Sequence, residues 1–283
     1  MKKTLLIALP LLLILGYSQS VNESTLIKKG KPSLRYLPDS DNPYYGEAHT
    51  NILGEKMFMG TYNSGLRDGL WTEWYENGQK EKEVTYKDGK GDGLWTFWHK
   101  NGQKQFEGNL KDGKEDGLQT YWYENGQKQQ EGTYKDGKFD GEWTYWYENG
   151  QKEKKVTGKE GKRDGLWTFW HKNGQKSWQL TYKDGKQDGL WTGWYDTGKK
   201  QFEETFKDGK QDGLKTKWDE NGQKFEEGNY KDGGKDGIWT RWSSYSGEKI
   251  NEKTYRNGEL IDEKCWDFDG GECECDADIG RCK

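Results

Sequence analysis

Two histidines, His99 and His171, are by residue type the side chains of this chain best suited to proton transfer or metal binding. They occupy equivalent places in two similar segments, too far apart to share a metal ion or a proton. No nucleophile or carboxylate is unique to those segments, so no acid–base pair is indicated. We expect neither a catalytic site nor a cofactor, and interpret the histidines as replacements for tyrosine in an aromatic row.

Carboxylates recur in the motif Asp-Gly-Lys-x-Asp, for example from Asp112 to Asp116. Such pairs occur in calcium loops, but calcium takes six or more oxygen ligands. Asp-Gly is also what a tight turn requires, and a lysine separates the two carboxylates in most copies. We therefore interpret the motif as a turn and predict no metal site.

The spacing of these residues follows one repeat. Asp-Gly recurs every 24 residues, beginning at 68, 92, 116, 140, 164, 188, 212 and 236. A fixed period indicates an array of like structural elements, so function is expected from an extended surface rather than a single cleft. Positions are numbered below from this Asp as position 0.

Each repeat is predicted to be one β-hairpin, because most repeats carry Asn-Gly at positions 9 and 10. This turn places position 5 opposite position 14, and the residues match in kind: Glu73 faces Lys82, and Phe97 faces Phe106. A four-residue link would put position 18 opposite position 1 of the next repeat. The predicted fold is all-β, an elongated single-layer antiparallel meander of 24-residue hairpins that rises about 9 to 10 Å per repeat.

The two faces of this predicted sheet differ. The aromatic face carries Trp or a substitute at position 3, the pairs at 5 and 14, Tyr or His at 7, Lys at 12, and Tyr, Phe or Leu at 18. The tryptophan face carries Leu at 2, Thr at 4 and Trp at 6. Its unbroken row is the candidate binding site, through stacking on sugars or anchoring of an apolar partner: Trp74, Trp98, Trp122, Trp146, Trp170, Trp194, Trp218 and Trp242. The alternative is that these indoles pack within the protein.

Lysines recur at positions 12 and 19, where they would permit contact with phosphate or an anionic membrane surface. Acidic residues at positions 15 and 20 oppose that charge, which favours solvated strand edges that deter aggregation.

Net charge and composition limit the kinds of partner and of hydrophobic core that this chain can have. The 49 acidic and 45 basic residues nearly cancel, which argues against a nucleic-acid partner. With few aliphatic residues, the 16 Trp and 17 Tyr must supply the core. All four prolines precede residue 44, so the later strands keep every backbone donor.

The ends of the chain differ from the repeats. Residues 1–20 have two lysines and a short apolar run, typical of a cleaved signal peptide, and no cysteine for a lipid anchor. We expect a linker at 21–43, a degenerate N-terminal capping repeat at 44–67, eight hairpin repeats at 68–258 and a cysteine-rich cap at 259–283. The protein would be exported to the periplasm, the cell surface or the medium.

The four cysteines are Cys265, Cys273, Cys275 and Cys282. In an exported chain they indicate disulfides rather than zinc ligands. A turn at 269–271 would fold Cys265 back toward Cys273 or Cys275, and all three connectivities remain open. Such a bridge would lock the last hairpin.

The pattern Tyr-x-x-Gly-x-x-x-Gly-x-Trp, as at Tyr86, Gly89, Gly93 and Trp95, resembles the MORN repeat. The added Asn-Gly-Gln-Lys turn resembles its bacterial variant, and the likeness extends over residues 44–262. The resemblance implies the repeat fold and, from eukaryotic relatives, protein scaffolding or phosphoinositide membrane contact. Many bacterial relatives carry an antitoxin-like label, which conflicts with the predicted export.

The leading hypothesis is therefore a non-enzymatic, exported scaffold that binds a protein through its aromatic rows. One alternative is a module that binds cell-wall polysaccharide. The other is an immunity or antitoxin protein with one dedicated toxin.

Overall fold

A computed structural model describes residues 20–29, 34–38, 40–52, 55–267, 269–276 and 280–283. Residues 1–19 of the predicted signal peptide lie outside this part of the chain. Within it, no helix is long and apolar enough to span a membrane. The chain divides into two compact units, residues 1–92 and 93–283.

The first unit contains a short 3-10 helix at Glu23–Thr25 and an antiparallel sheet in which β4, β5, β6 and β7 are successive neighbours. β1 adds to β4 in parallel, while β2 and β3 pair separately. The strands are β1 (Val21–Asn22), β2 (Ile27–Lys29), β3 (Leu34–Tyr36), β4 (Gly46–Ile52), β5 (Glu55–Asn63), β6 (Leu66–Trp74) and β7 (Lys80–Lys87).

The core of this unit includes residues that were predicted to form a linker. Leu26 is only 5% exposed and packs in one cluster with Tyr44, Tyr62 and Trp71. Glu23 accepts a hydrogen bond of 2.6 Å from the Tyr62 hydroxyl. The described part of 21–43 is therefore folded onto the capping repeat, because an apolar side chain in a proline-containing stretch still gains from burial in an aromatic core. The linker interpretation is corrected.

The second unit begins within β8 and continues as strands in chain order, each antiparallel to its neighbours. In two repeats a bulge splits the first strand, giving β14 with β15 and β17 with β18. The strands are β8 (Lys90–Trp98), β9 (Lys104–Lys111), β10 (Lys114–Trp122), β11 (Lys128–Lys135), β12 (Lys138–Trp146), β13 (Lys152–Lys159), β14 (Lys162–Arg163), β15 (Gly165–Trp170), β16 (Lys176–Lys183), β17 (Lys186–Gln187), β18 (Gly189–Trp194), β19 (Lys200–Lys207), β20 (Lys210–Trp218), β21 (Lys224–Lys231), β22 (Gly234–Trp242), β23 (Lys249–Arg256), β24 (Glu259–Trp266) and β25 (Glu272–Cys273).

The all-β hairpin prediction is confirmed, as is the pairing of positions 5 and 14. Glu73 faces Lys82 in the first unit, and Phe97 faces Phe106 in the second. The register therefore follows from the repeat, although both turns differ in kind from the prediction.

The Asn-Gly turn is not the two-residue turn that its sequence suggests. At Asn101-Gly102 only the glycine has a positive φ, of 85°, and Gly102 N–H donates to the His99 carbonyl at 2.8 Å. This is the geometry of a type I turn closed by a left-handed glycine. The two-residue turn with positive φ at both residues is instead the Asp-Gly link, with φ of 51° at Asp112 and 80° at Gly113.

Two register corrections follow from these turns. At the link, Leu110 at position 18 faces Glu115, just before the next Asp, and not the glycine at position 1. At the hairpin, the register shifts so that Trp122 faces Lys128 while Tyr121 faces Gln130. The bulge residue at position 13 turns the lysine at position 12 onto the tryptophan face, so its predicted place on the aromatic face is wrong.

Each hairpin turn is bound to the turn of the following repeat. Asn101 Oδ1 accepts the Gln103 N–H at 3.0 Å, while its Nδ2 donates to the Glu124 carbonyl at 2.8 Å. The Gln103 side chain lies against Gly126, where a Cβ would be 2.5 Å from Gln103 Oε1. The forward amide bond recurs at Asn125, Asn149 and Asn173. The glycine is thus required for its φ and for the space that the preceding glutamine occupies.

Alanine substitutions at two turn glycines should separate the requirement for a positive φ from the requirement for space. Gly78 has the same positive φ of 80°, but nothing lies within 4 Å of its added Cβ. Gly78→Ala should therefore lower the free energy of unfolding by about 1 kcal/mol through backbone strain alone. Gly126→Ala should cost roughly 0.5 to 1 kcal/mol more, because Gln103 must move.

Urea denaturation followed by circular dichroism measures this difference. Adding Gln103→Ala to Gly126→Ala should remove the excess over Gly78→Ala. Equal destabilisation by the two single alanine variants would show that the glutamine–glycine contact contributes nothing.

Candidate functional site

The tryptophan face was the predicted binding surface, and all eight of its predicted indoles are half-buried. In the second unit, the position 12 lysine of one repeat lies over the position 6 indole of the next. The distances from Nζ to the ring centroid include 5.8 Å for Lys104 over Trp122 and 5.5 Å for Lys176 over Trp194. The indoles are therefore covered on one side by cations, an arrangement that is favourable through the ring quadrupole.

Most of these lysines pair with a glutamate at position 15, but the repeats of Lys152 and Lys176 carry Lys155 and Gln179 there. Lys128 pairs with Glu131 at 2.5 Å, and Lys224 pairs with Glu227 at 2.7 Å. The buried Thr216 donates to this second carboxylate at 3.0 Å. The paired lysines thus carry little net charge toward solvent, in agreement with the cancellation expected from the sequence, and they give no support to a phosphate-binding strip.

The row extends one residue beyond its predicted end. Lys249 lies 4.7 Å from the ring centroid of Trp266, in the cysteine-rich cap. Trp266 also closes β24, as the earlier tryptophans close the first strand of their repeats.

The apolar side chains that the tryptophan face exposes are those at position 2. Leu94 is 48% exposed and Ile238 is 58% exposed. Glu142 interrupts this row and pairs with Lys155 at 2.8 Å. We call the apolar members of the second unit the leucine row: Leu94, Leu118, Leu166, Leu190, Leu214 and Ile238. Leucine at position 2 was predicted to lie on this face, but its exposure was not predicted.

His99 and His171 have the role inferred for them, as replacements for tyrosine. His99 Nε2 lies 3.0 Å from the Trp122 carbonyl, and His171 Nε2 lies 3.2 Å from the Trp194 carbonyl. The Tyr123 hydroxyl makes the same bond to the carbonyl of Trp146, at 2.7 Å. The histidine or tyrosine at position 7 therefore holds the next repeat in register in the five consecutive repeats that begin at residues 92 to 188.

The Asp-Gly-Lys-x-Asp carboxylates serve the link turn. Asp116 Oδ2 accepts the Asp136 N–H at 3.2 Å, and Asp164 Oδ2 accepts the Asp184 N–H at 3.1 Å. One carboxylate of each repeat thus caps the turn 20 residues later, which supports the turn interpretation.

On the aromatic face, position 3 lies over position 16 of the preceding repeat. Gly132 makes room for Trp143, since a Cβ there would be 2.2 Å from the indole. Trp143 Nε1 donates to the Thr133 carbonyl at 3.1 Å. Gln119, which is 1% exposed, occupies the tryptophan position of its own repeat, and its Nε2 donates to the Asn109 carbonyl at 3.0 Å. The amide thus replaces the indole N–H bond without filling the indole volume.

A groove of about 600 Å³ opens on this face around Gln119. Its walls include the half-buried rings of Trp95, Phe97 and Tyr121, and its rim includes Glu115. Within the described residues, Trp95 Nε1 is buried and makes no hydrogen bond. The groove falls outside the predicted tryptophan row. The one feature of the sequence that could have indicated it is the change from Trp to Gln at position 3.

The repeat that begins at Asp212 replaces the packed indole by an ion pair. Lys215 faces Glu204 in the ladder and contacts it at 2.8 Å, and Glu204 is only 5% exposed. Gln211 Nε2 donates to the same carboxylate at 2.6 Å. The charge pair therefore occupies positions 16 and 3, where most other repeats place Gly, Val or Leu with Trp and one places Gly108 with Gln119.

The four cysteines form the two disulfides Cys265–Cys275 and Cys273–Cys282, with Cα–Cα distances of 5.3 and 5.6 Å. The disulfide prediction is confirmed and its connectivity is now resolved. Glu263 lies beside Cys265 and Cys275 within 4.8 Å. Because both sulfurs are in a disulfide, this group offers no thiolate to a metal.

Removing one partner of the buried ion pair should lower the free energy of unfolding, whereas replacing both partners by apolar residues should not. Lys215→Met leaves the Glu204 carboxylate buried without its cation, which should lower the free energy of unfolding by about 3 kcal/mol. The double variant Glu204→Val with Lys215→Trp recreates the residues found at Val156 and Trp167, and should regain most of that loss. Urea midpoints measure both effects, and a neutral Lys215→Met would contradict this account.

Tyr121 should make the fold sensitive to alkali. Burial, with a further contribution from the charge of Glu115, raises its pKa from 10.0 to about 12. The unfolded chain releases this proton near pH 10, so the stabilisation is present below that pH and is lost as the pH rises toward about 12. Denaturation midpoints between those values should fall less steeply in Tyr121→Phe than in the native protein. Parallel slopes would contradict the assignment.

The repeats match one known family. The model of the MORN repeat variant matches seven tandem segments, each equivalent in the fold to one hairpin and its link: residues 67–88, 91–112, 115–136, 139–160, 163–184, 187–208 and 211–232. These segments make up more than half of the chain, while the hairpin of β22 and β23 continues the pattern beyond them. No curated protein matches the chain. From the seven matches and the hairpin geometry, the chain belongs to the MORN repeat variant family.

Proposed function

We propose that this protein is an exported, non-enzymatic repeat scaffold that binds a protein partner along its tryptophan face. The single observation that carries the proposal is the leucine row, in which one large aliphatic side chain of each repeat, apart from the Glu142 repeat, stands about half exposed. Apolar side chains in a periodic row match the interface anchors of a polypeptide partner. The MORN repeat fold supports the scaffold part of this function.

The surroundings of the row favour apolar contact over ionic contact. Ion pairs such as Lys128–Glu131 and Lys200–Glu203 lie beside it, so the stripe has charged margins with little net charge. A partner that contacts several repeats would gain from multivalent contact even where each repeat contributes little.

The alternative of polysaccharide binding is less well supported by this face. Sugar rings stack on open aromatic faces, but the indoles are half-buried and a lysine lies over each of six in the second unit. The exposed groups are leucines, whose methyl groups offer no such stacking. An immunity or antitoxin role would require the same surface to select one dedicated toxin.

Export is supported by the two disulfides and by the N-terminal sequence. Disulfides persist in oxidising compartments and are rare in the reducing cytosol. With Cys265–Cys275 and Cys273–Cys282 closed, all four cysteines of the chain are paired.

The protein beginning at Val21 should capture a saturable partner from native envelope or secreted fractions. Leu190→Glu combined with Leu214→Glu should reduce retention of that partner at least about tenfold, since each charge interrupts the apolar row. Glu142 occupies this position natively, so the variant should fold. Leu190→Ile, which copies the isoleucine found at Ile238, is the matched control and should bind as the unmodified protein does.

Quantitative mass spectrometry of the retained proteins measures the difference. Equal capture by the glutamate variant would place the interface elsewhere. Retention of wall polysaccharide without a specific protein, with tryptophan quenching that grows with oligosaccharide length, would replace the proposal by glycan binding. Capture of a single toxin would assign the immunity role.

A further inference from the structure

We propose that the groove at Gln119 is a binding site for an organic ammonium ion. The groove lies on the aromatic face and does not depend on the partner proposed for the tryptophan face. Its volume of about 600 Å³ is in the range of small-molecule sites.

The groove exists because one indole is missing from a local pattern that is filled elsewhere. In the first unit, Phe58, Gly60 and Trp71 occupy positions 14, 16 and 3, and the two rings stack with centroids 5.7 Å apart. In the second unit, Phe106 and Gly108 occupy the first two of these positions, but Gln119 takes the third. The shorter amide satisfies the backbone carbonyl. Phe106 Cζ lies 2.6 Å from where a Gly108 Cβ would be, so the Phe106 ring takes part of the space that the indole fills at Trp71 and leaves the rest open.

Aromatic rings form much of the wall of this space. The ring centroids are 5.9 Å apart for Trp95 and Phe97, 5.3 Å for Phe97 and Phe106, and 4.7 Å for Phe106 and Tyr121. Trp95, Phe97 and Tyr121 are each partly open to solvent. Clustered aromatic rings attract an ammonium group through their quadrupoles.

The charges around the rings have one sign. The described lining residues include Glu115, Glu124 and Glu148 but no lysine or arginine, although Lys and Arg supply 45 residues of the chain. Across the part of the chain that the structure describes, none of these three carboxylates has a basic group within 4.0 Å. Glu124 and Glu148 are exposed and Glu115 is half-buried, so all three carboxylates are accessible to a cationic ligand.

The negative potential is also felt by a ring in the wall. The charge of Glu115 adds to burial in raising the pKa of Tyr121 to about 12. The direction of this shift agrees with a negative potential at the ring.

Other ligand classes fit less well. An anion would face three carboxylates without a basic partner. A metal ion needs ligand atoms that lie close together. Within the described residues, the His, Cys, Asp or Glu side chains that bring three ligand atoms within 4.8 Å of one another are Glu263, Cys265 and Cys275. They are far along the chain from the groove. A diffuse cation, as in a quaternary or primary ammonium group, matches both the rings and the spaced carboxylates.

The first experiment is a titration of the purified protein with choline, followed by ligand-observed NMR and tryptophan fluorescence. The control ligand is 3,3-dimethyl-1-butanol, which has the same shape but no charge. Choline should bind saturably and at least about tenfold more tightly than the neutral alcohol, because ring faces and carboxylates both favour the charge. Equal affinity for the two ligands would overturn the proposal.

Variants locate the binding in the groove. Gln119→Trp should fold, since it restores the pattern of Phe58, Gly60 and Trp71, and it should reduce choline affinity at least about tenfold by filling the space. Glu115→Gln should weaken choline binding several-fold without changing the weak binding of the neutral alcohol. Glu131→Gln, which removes an equal charge from the tryptophan face, should have no effect. Unchanged affinity in Gln119→Trp would show that the groove is not the site.

Two further ligands distinguish the source of the ammonium group. Glucosamine tests an amino sugar, and Nα-acetyl-lysine amide tests a lysine side chain of a polypeptide. Tighter binding of either one than of its neutral counterpart, glucose or Nα-acetyl-norleucine amide, would support the ammonium site and name its source. If no ammonium compound exceeds its neutral counterpart, the proposal is wrong.

Discussion

The fold depends on the contact that each hairpin turn makes with the next turn. An isolated two-stranded hairpin is marginal in water, so the repeats gain stability by stacking in register. The Asn-Gly-Gln-Lys motif of each repeat contacts the repeat that follows it in the chain. Asn101 donates to the Glu124 carbonyl, Gln103 lies on Gly126, and Lys104 covers Trp122. Because every member of the motif acts on the following repeat, the motif recurs as a block.

The demands of stacking leave few positions free to vary, and those positions carry the differences between repeats. Position 3 is Trp in most repeats, but it is Gln119 at the aromatic groove and Lys215 at the buried ion pair. Position 2 is Leu or Ile except at Glu142. A repeat protein of this kind acquires individual sites by exchanging one packed residue for another inside an unchanged backbone.

The repeat period, the hairpins and the matched pairs at positions 5 and 14 could be predicted, because they follow from local sequence and from the alternation of strands. The turn types could not, since Asn-Gly suits both a two-residue turn and a type I turn closed by glycine. The difference of one bulge residue was enough to move Lys128 to the face of Trp122. The burial of Leu26 depends on distant partners such as Tyr62, which no local pattern displays.

Because each turn acts forward, residues 259–283 receive the contacts of the preceding hairpin while their own cross-links differ from those of a repeat. The last forward contact places Lys249 over Trp266, and the strand that follows β24, β25, has two residues. Cross-links take the place of a further hairpin, since Cys265 joins Cys275, Cys273 joins Cys282, and Asn251 Nδ2 donates to the Gly280 carbonyl at 2.7 Å. Short closed loops restrict the unfolded chain, so they stabilise a strand that is paired on one side along only part of its length. Residues 259–283 therefore hold their strands together with covalent bonds, where the earlier repeats use contacts between hairpin turns.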